Sequence, residues 1–399
     1  MSSDLLYVAL VFGLFVVPRL LVRLRLPAAV TSLLLGAATI PWNAFAGDQT
    51  LPLLATFGIV SLFLSAGLEV ELDRAFRRWK LIVLSLVVYA FELALASVCL
   101  ASLFELEPRA AVLVSLALLT PSTGFILDSL SSFGLEEDGR HAVRDLAIGT
   151  ELLALLVLFC ATQSENLVRF SLSTATLCGL VLAIPLAFRL FATHIAPHAP
   201  RTEFAFLLMV AVLSAFLTRK LGVYYLVGAF VVGLTARRFR DKLPAMSSER
   251  ILHAVEDFGL VFAPFYFFYA GTGLASIDMG FQAAGLGLVF LVVLIPVRVG
   301  SLTLADGLVR RRPMRESRRV ALANVPTLVF ALVVVGILAE RELGSPALLG
   351  AIVYYTVGNT VLTGFLLYRT GVVVAPVEDV GSVLERELPM GTAGKEASE

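Results

Sequence analysis

The 399-residue chain is poor in charge, in cysteine and in anything arranged to hold a metal. Asp, Glu, Lys and Arg make up only 16% of it, where soluble domains carry about 25%. The two signs cancel to a formal net charge of zero, which by itself says nothing about partners, and no nucleic-acid partner is expected of a chain this apolar. The three cysteines, Cys99, Cys160 and Cys178, lie singly in apolar runs. That pattern excludes a disulfide framework or a thiolate metal site, and it reads as small core residues. The four histidines, His141, His194, His198 and His253, fall in loops or at segment ends and form no ligand pattern. No nucleophile–base set occurs at usable spacing, so an enzyme is not expected, nor a cofactor. The N-terminus passes from a short polar stretch straight into an apolar run, with no basic leader or cleavage site, so no cleaved signal is expected.

What the chain has instead is hydrophobicity: 58% apolar residues and a mean hydropathy of +0.89. Thirteen apolar segments stand out, near 4–23, 27–43, 51–69, 79–103, 109–131, 142–162, 167–192, 202–219, 222–238, 254–274, 280–305, 318–340 and 346–369. Runs of this length predict an all-α polytopic membrane protein of about 13 transmembrane helices, or twelve, since the second segment holds Pro27 and Pro41 and the ninth is brief. If the N-terminus lies outside, only Arg109, Arg169, Arg219, Lys220 and Arg341 fall in outer loops, Arg298 lies within the membrane, and the other 25 Lys and Arg are cytoplasmic. The positive-inside rule therefore predicts N-terminus out and C-terminus in.

Polar residues deep in such segments mark function. Glu151, after Thr150 in the sixth segment, is about ten residues from either polar end, near the middle of a bilayer core about 30 Å thick. The fifth segment carries Thr120-Pro121-Ser122-Thr123-Gly124 at mid-depth. Proline removes a donor and clashes with the preceding turn, so a helix break is predicted, with freed carbonyls and three hydroxyls beside a cavity. Asn324-Val325-Pro326-Thr327 repeats the mark in the twelfth segment, 205 residues after Pro121. The same shift carries Glu151 onto Thr356, in the polar centre of the thirteenth segment. A proline-marked helix followed by a helix with a polar centre thus occurs twice in opposite directions, the pointer to an inverted repeat with two broken, crossing helices. Glu92 and Arg298 are also deep, and opposite charges in a membrane usually meet, so a core ion pair is expected. The aromatic run Phe262 to Tyr269 reads as packing.

Together these stretches resemble the monovalent cation:proton antiporter superfamily, closest to sodium/proton exchangers and the membrane domains of Kef-type potassium/proton systems. The proline-led LRLPAAVTSLLLGA, the FGIVSLFLSAGLEVELD segment, LLTPSTGFILDSL, the Gly-rich YLVGAFVVGL and the Phe-rich FAPFYFFYAGTGL carry the likeness through nearly all thirteen segments. Where family members usually place two polar or acidic residues ending in aspartate, this chain has Thr150-Glu151, and it lacks the charged Gly-rich signature of the broken twelfth helix. The resemblance implies an exchanger domain over 1–372: core helices at about 79–162 and 280–369, dimerisation or scaffold helices at about 4–69 and 202–274, and a linker helix at 167–192. A polar cytoplasmic tail at 373–399 would follow. It also implies a homodimer; a plasma or bacterial inner membrane is the expected location.

The expected chemistry is competition. Burial disfavours a charged carboxylate, so Glu151 would take a proton or a dehydrated Na+ or K+ in turn, with oxygens of Thr150, Thr120, Ser122 and Thr123 assisting. Asn324, Pro326, Thr327 and Thr356 would form the facing break. With Arg298 offset by Glu92, exchange would be electroneutral. The alternatives are a sodium-coupled organic-anion symporter of similar design and a membrane sensor that transports nothing.

Overall fold

The structure, a computed structural model, describes residues 3–21, 24–45, 47–70, 79–163, 167–199, 202–220, 225–240, 249–310 and 313–367. The tail expected at 373–399 lies outside them. The described residues form helices α1 (Ser3–Leu21), α2 (Ala28–Ala38), α3 (Thr50–Leu68), α4 (Trp79–Phe104), α5 (Pro108–Leu119), α6 (Thr123–Ser129), α7 (Glu137–Gln163) and α8 (Leu167–Leu190). They continue with α9 (Glu203–Lys220), α10 (Tyr225–Arg240), α11 (Glu249–Gly273), α12 (Phe281–Arg310), α13 (Met314–Ala323), α14 (Leu328–Glu340) and α15 (Pro346–Leu367).

Each of the thirteen expected segments falls on one helix, or on the pairs α5–α6 and α13–α14. Fewer are long enough to cross a bilayer by themselves. Among the described residues, 8 helical spans pass on length and hydropathy, or 9 if the bent α13–α14 pair is one span. Four helices make the difference: α1, whose apolar part is Leu5–Leu21, α2 with 11 residues and α10 with 16 are short, the last two about 17 and 24 Å at the helical rise, and α9 carries three charges, Glu203, Arg219 and Lys220.

Both breaks follow their prolines. Pro121 disfavours helical backbone at the residue before it, and Thr120 is extended (φ −80, ψ 121), as is Ser122 (φ −93, ψ 96). Around Pro326, α13 stops at Ala323 and α14 starts at Leu328, with a bend of 41°.

Two groups of helices pack differently. In the first, α2, α3, α10 and α11 touch backbone to backbone. A Cβ at Gly36 would stand 2.0 Å from the Phe268 carbonyl oxygen, and one at Gly271 would stand 2.1 Å from that of Leu33, so only glycine allows this approach. The aromatic run of α11 packs as expected, with Phe262 edge-on to Phe57 and Phe268 edge-on to Phe45. In the second group, α4–α7 and α12–α15 pack round the two breaks.

The groups meet where Gly124 of α6 faces Leu62 of α3 and where the Tyr266 hydroxyl of α11 donates to the Val329 carbonyl of α14, 3.5 Å. They also meet through the Arg144–Glu69 ion pair at 3.1 Å. Arg25, ahead of α2, donates to the Phe365 carbonyl at 3.2 Å and lies over its ring. The cysteines depart from expectation: all three are exposed. They lie on outward helix faces, where a bilayer is as suitable a solvent for a thiol as a core.

Candidate functional site

Glu151 projects from α7, and its side chain is enclosed, with the residue 4% exposed. Its Oε2 accepts the Thr123 backbone N–H at 3.1 Å. Thr123 is the first residue of α6, and a helix start has backbone N–H groups without intrahelical partners, so a carboxylate there is favourable. The other oxygen, Oε1, is buried with no hydrogen bond among the described residues. One half of the carboxylate is therefore held and the other half is open.

The residues between α5 and α6 are tied to those between α13 and α14. The Ser122 N–H donates to the Pro326 carbonyl at 2.8 Å, and the Ser122 Oγ accepts the Val329 N–H at 3.2 Å. Each break thus supplies partners that the other has lost through its proline, which is how unwound backbone is tolerated at membrane depth. Thr120 bonds the Tyr89 hydroxyl through Oγ1 at 2.8 Å.

At the second break, Arg298 of α12 donates to the Val325 carbonyl from Nη1 and to the Asn324 carbonyl from Nη2, each at 3.1 Å. A guanidinium beside the last carbonyls of α13 complements the negative end of that helix. Asn324 turns its own amide back onto the Val320 carbonyl at 3.0 Å. Thr327 and Thr356 share a hydroxyl contact at 3.2 Å, and the Asn359 amide donates to Thr327 Oγ1 at 3.0 Å. Thr360 then donates to Asn359 Oδ1 at 3.1 Å.

The structure therefore brings Glu151, Thr123, Ser122 and Pro326 into one bonded set, and Thr327 and Thr356 into another. Thr120 bonds only Tyr89 through its side chain, and no side-chain bond ties that pair to either set among the described residues. Thr150 is buried, but no hydrogen bond links it to Glu151 or to either break among the described residues; neighbouring helical positions do not face one another. Glu92 and Arg298 stand within electrostatic reach, yet they make no direct ion pair among the described residues. The freed carbonyls around Pro326 take both terminal nitrogens of Arg298 instead. Three residues of the site were not singled out from sequence: Tyr89, Asn359 and Thr360. Tyr89 sits three positions before Glu92 on the same helix face, and Asn359 closes the polar patch that contains Thr356, so both signals were present.

Known proteins share the fold and the family. The family described as "Sodium/hydrogen exchanger, transmembrane" matches residues 8–371. The chain belongs to this family. It is thus one of a family of integral, multi-pass transporters, not of enzymes. The Methanocaldococcus jannaschii protein named "Probable Na(+)/H(+) antiporter 3" is 26% identical over 234 residues, 55% of this chain. The match spans 59% of that relative's length. Two structures of the sodium proton antiporter MjNhaP1 from the same organism share the fold. One, at pH 8, has a TM-score of 0.63 at 16% identity and covers 91% of this chain and 95% of its own. The other has a TM-score of 0.65 at 17% identity and covers 92% and 96%.

Proposed function

We propose that this chain exchanges a monovalent cation, Na+ or K+, for H+, and that Glu151 takes each ion in turn. The observation that carries this reading is the half-open carboxylate. Glu151 is enclosed at two tied helix breaks, with Oε2 on the Thr123 N–H and Oε1, like the Thr123 hydroxyl, buried without a hydrogen bond among the described residues. Ionised, the group attracts a dehydrated cation to Oε1, and nearby hydroxyl oxygens suit a hard ion. Protonated, it is neutral and releases the cation. An empty ionised site is costly to carry past a hydrocarbon barrier, so one ion leaves only as the other arrives. Family membership favours exchange over organic-anion symport.

The finer architecture supports this. A shift of 205 residues carries Pro121 onto Pro326 and Glu151 onto Thr356, and it brings α4–α7 (79–163) close to α12–α15 (281–367). We read the two sets as an inverted repeat forming a moving core. The helices α1–α3 and α9–α11 are the scaffold and the homodimer contact, α8 is the linker, and the N-terminus is outside. With one titrating carboxylate, and with Arg298 and Glu92 offsetting one another electrostatically, exchange is one proton per cation and electroneutral.

The test is cation-driven proton movement in proteoliposomes, with Na+ and with K+. Wild type should move protons, and Glu151→Gln should not. Proton movement that persists in Glu151→Gln would remove Glu151 from the mechanism, and a silent wild type would remove exchange altogether.

A further inference from the structure

Two hydroxyl residues stand at the helix starts of the two breaks, and neither caps its own helix. Ser122 precedes α6 and Thr327 precedes α14, and neither side chain bonds the first turn that follows it. Serine and threonine at such a place normally accept the N–H two or three positions on. The two residues are related by the same shift of 205 that carries Pro121 onto Pro326, yet their side chains go different ways. Ser122 Oγ crosses to α14 and accepts the Val329 N–H at 3.2 Å. Val329 is the second residue of α14, so this is the bond that Thr327 would make if it capped its own helix. Thr327 Oγ1 is turned to α15 instead. There it accepts the Asn359 amide at 3.0 Å and meets the Thr356 hydroxyl at 3.2 Å.

The reason for the difference lies one helix away. Asn359 is fully buried, and its Oδ1 accepts from Thr360 Oγ1 at 3.1 Å. The shift of 205 sets Ala154 of α7 where α15 has Asn359, and alanine has no group to hold a hydroxyl. Asn359 thus gives Thr327 the N–H that its own helix would otherwise supply, and the Val329 N–H is left to Ser122. Ser122 is tied a second time, from its N–H to the Pro326 carbonyl at 2.8 Å. The next residue, Thr123, holds Glu151 Oε2 through its N–H. From Asn359 to Glu151 the path runs through Thr327, Val329, Ser122 and Thr123, each step a hydrogen bond or a move of one or two residues along the chain.

We propose that Asn359 is a positioning residue for the exchange site. By holding the Thr327 hydroxyl on α15, it leaves the start of α14 to Ser122 and so fixes the backbone that presents the Thr123 N–H to Glu151. The inference rests on the reading of Glu151 as the cation and proton carrier. Without the amide, Thr327 turns back and caps α14 itself, and Ser122 loses its partner across the break.

The experiment measures cation KM and kcat for proton-coupled exchange in proteoliposomes, with thermal melting of each protein. The proteins are wild type, Asn359→Leu, Thr327→Val, the Asn359→Leu/Thr327→Val pair, Ser122→Ala and Glu151→Gln. Leucine keeps the branched shape of asparagine without its amide, and Thr360 keeps its bond to the Thr356 carbonyl at 2.7 Å. Asn359→Leu should raise cation KM about tenfold, the scale of one hydrogen bond at a helix start, with kcat little changed. Valine cannot accept an N–H, so adding Thr327→Val removes the competitor for Val329. The double variant should therefore recover most of the affinity that Asn359→Leu loses. A bond that only holds the fold together predicts the reverse, a double variant at least as impaired as Asn359→Leu, and that result would overturn the proposal. A cation KM within about twofold of wild type, in Asn359→Leu or in Ser122→Ala, would also overturn it. Should Asn359→Leu not fold, Asn359→Ala takes its place in the same comparison, and the Ser122→Ala arm stands by itself. Glu151→Gln separates the two layers. If it keeps exchanging, the Glu151 reading fails and the role of Asn359 with it. If it is inactive while Asn359→Leu matches wild type, only the role of Asn359 falls.

Discussion

Glu151 is held at one oxygen by a backbone N–H, and the length of its side chain decides whether that bond is reached. Glu151→Asp retracts the carboxylate by one methylene and should lose the Thr123 contact. A hydrogen bond to a charged group is worth about 1.5–3 kcal/mol, so the apparent cation affinity should fall by tenfold or more, read as KM in proteoliposomes. Arg298 and Glu92 separate at the same scale. Arg298→Ala leaves the Asn324 and Val325 carbonyls unpaired at the second break, at about 1–3 kcal/mol per buried group. Glu92→Gln breaks no direct ion pair among the described residues. Arg298→Ala should therefore lower the melting temperature in detergent well beyond Glu92→Gln, and equal losses would restore the ion-pair picture. Sequence could not separate these cases. It placed two opposite charges in the membrane, but the choice of partner depended on which carbonyls Pro326 had freed, and that is set by the three-dimensional break.

The elements themselves were far more legible. Proline is a local instruction, so both breaks could be read at Pro121 and Pro326, and long apolar runs gave the order of helices. What could not be read was how the breaks hold each other. The Ser122 N–H to Pro326 carbonyl bond joins residues about two hundred positions apart, and no periodicity encodes it. The shortness of the second segment was legible from Pro27 and Pro41, and α2 with the turn Ile40–Trp42 fills its bounds; how few of the segments are long and apolar enough to span alone was not. Glycines were legible only as a class. Gly36 touches the Phe268 carbonyl so closely that any Cβ must displace α11, whereas Gly13 in α1 has nothing within 4 Å of the same added atom. Gly36→Ala should destabilise by about 1–3 kcal/mol or more through overpacking. Gly13→Ala should be neutral or stabilising by up to about 1 kcal/mol, because alanine favours a helix over glycine. Melting curves of the two variants under one condition test the contrast, and a matching shift in both would deny that contact at Gly36 is special.

For the whole molecule, the contacts between the two helical groups are few and of different kinds. The Arg144–Glu69 ion pair, the Arg25 clamp on Phe365 and the Tyr266 hydroxyl on the Val329 carbonyl are polar ties between the two groups. If the core moves against the scaffold, these ties break in one direction of travel. Arg25→Ala together with Arg144→Ala should raise amide hydrogen exchange in α7 near residue 144 and in α15 near residue 365, with the glycine-packed α2–α11 contact unchanged. Uniform protection in the double variant would show that these ties do not restrain the groups. The shortness of α2 has a consequence of another sort. Even with the turn that follows it to Trp42, the helix covers about 23 Å, less than a hydrocarbon layer of about 30 Å. Lipid tails beside it must shorten, tilt or yield to water and headgroups. Where α2 borders lipid, the bilayer would thin locally, and a membrane of longer-chain lipids would press on the scaffold there.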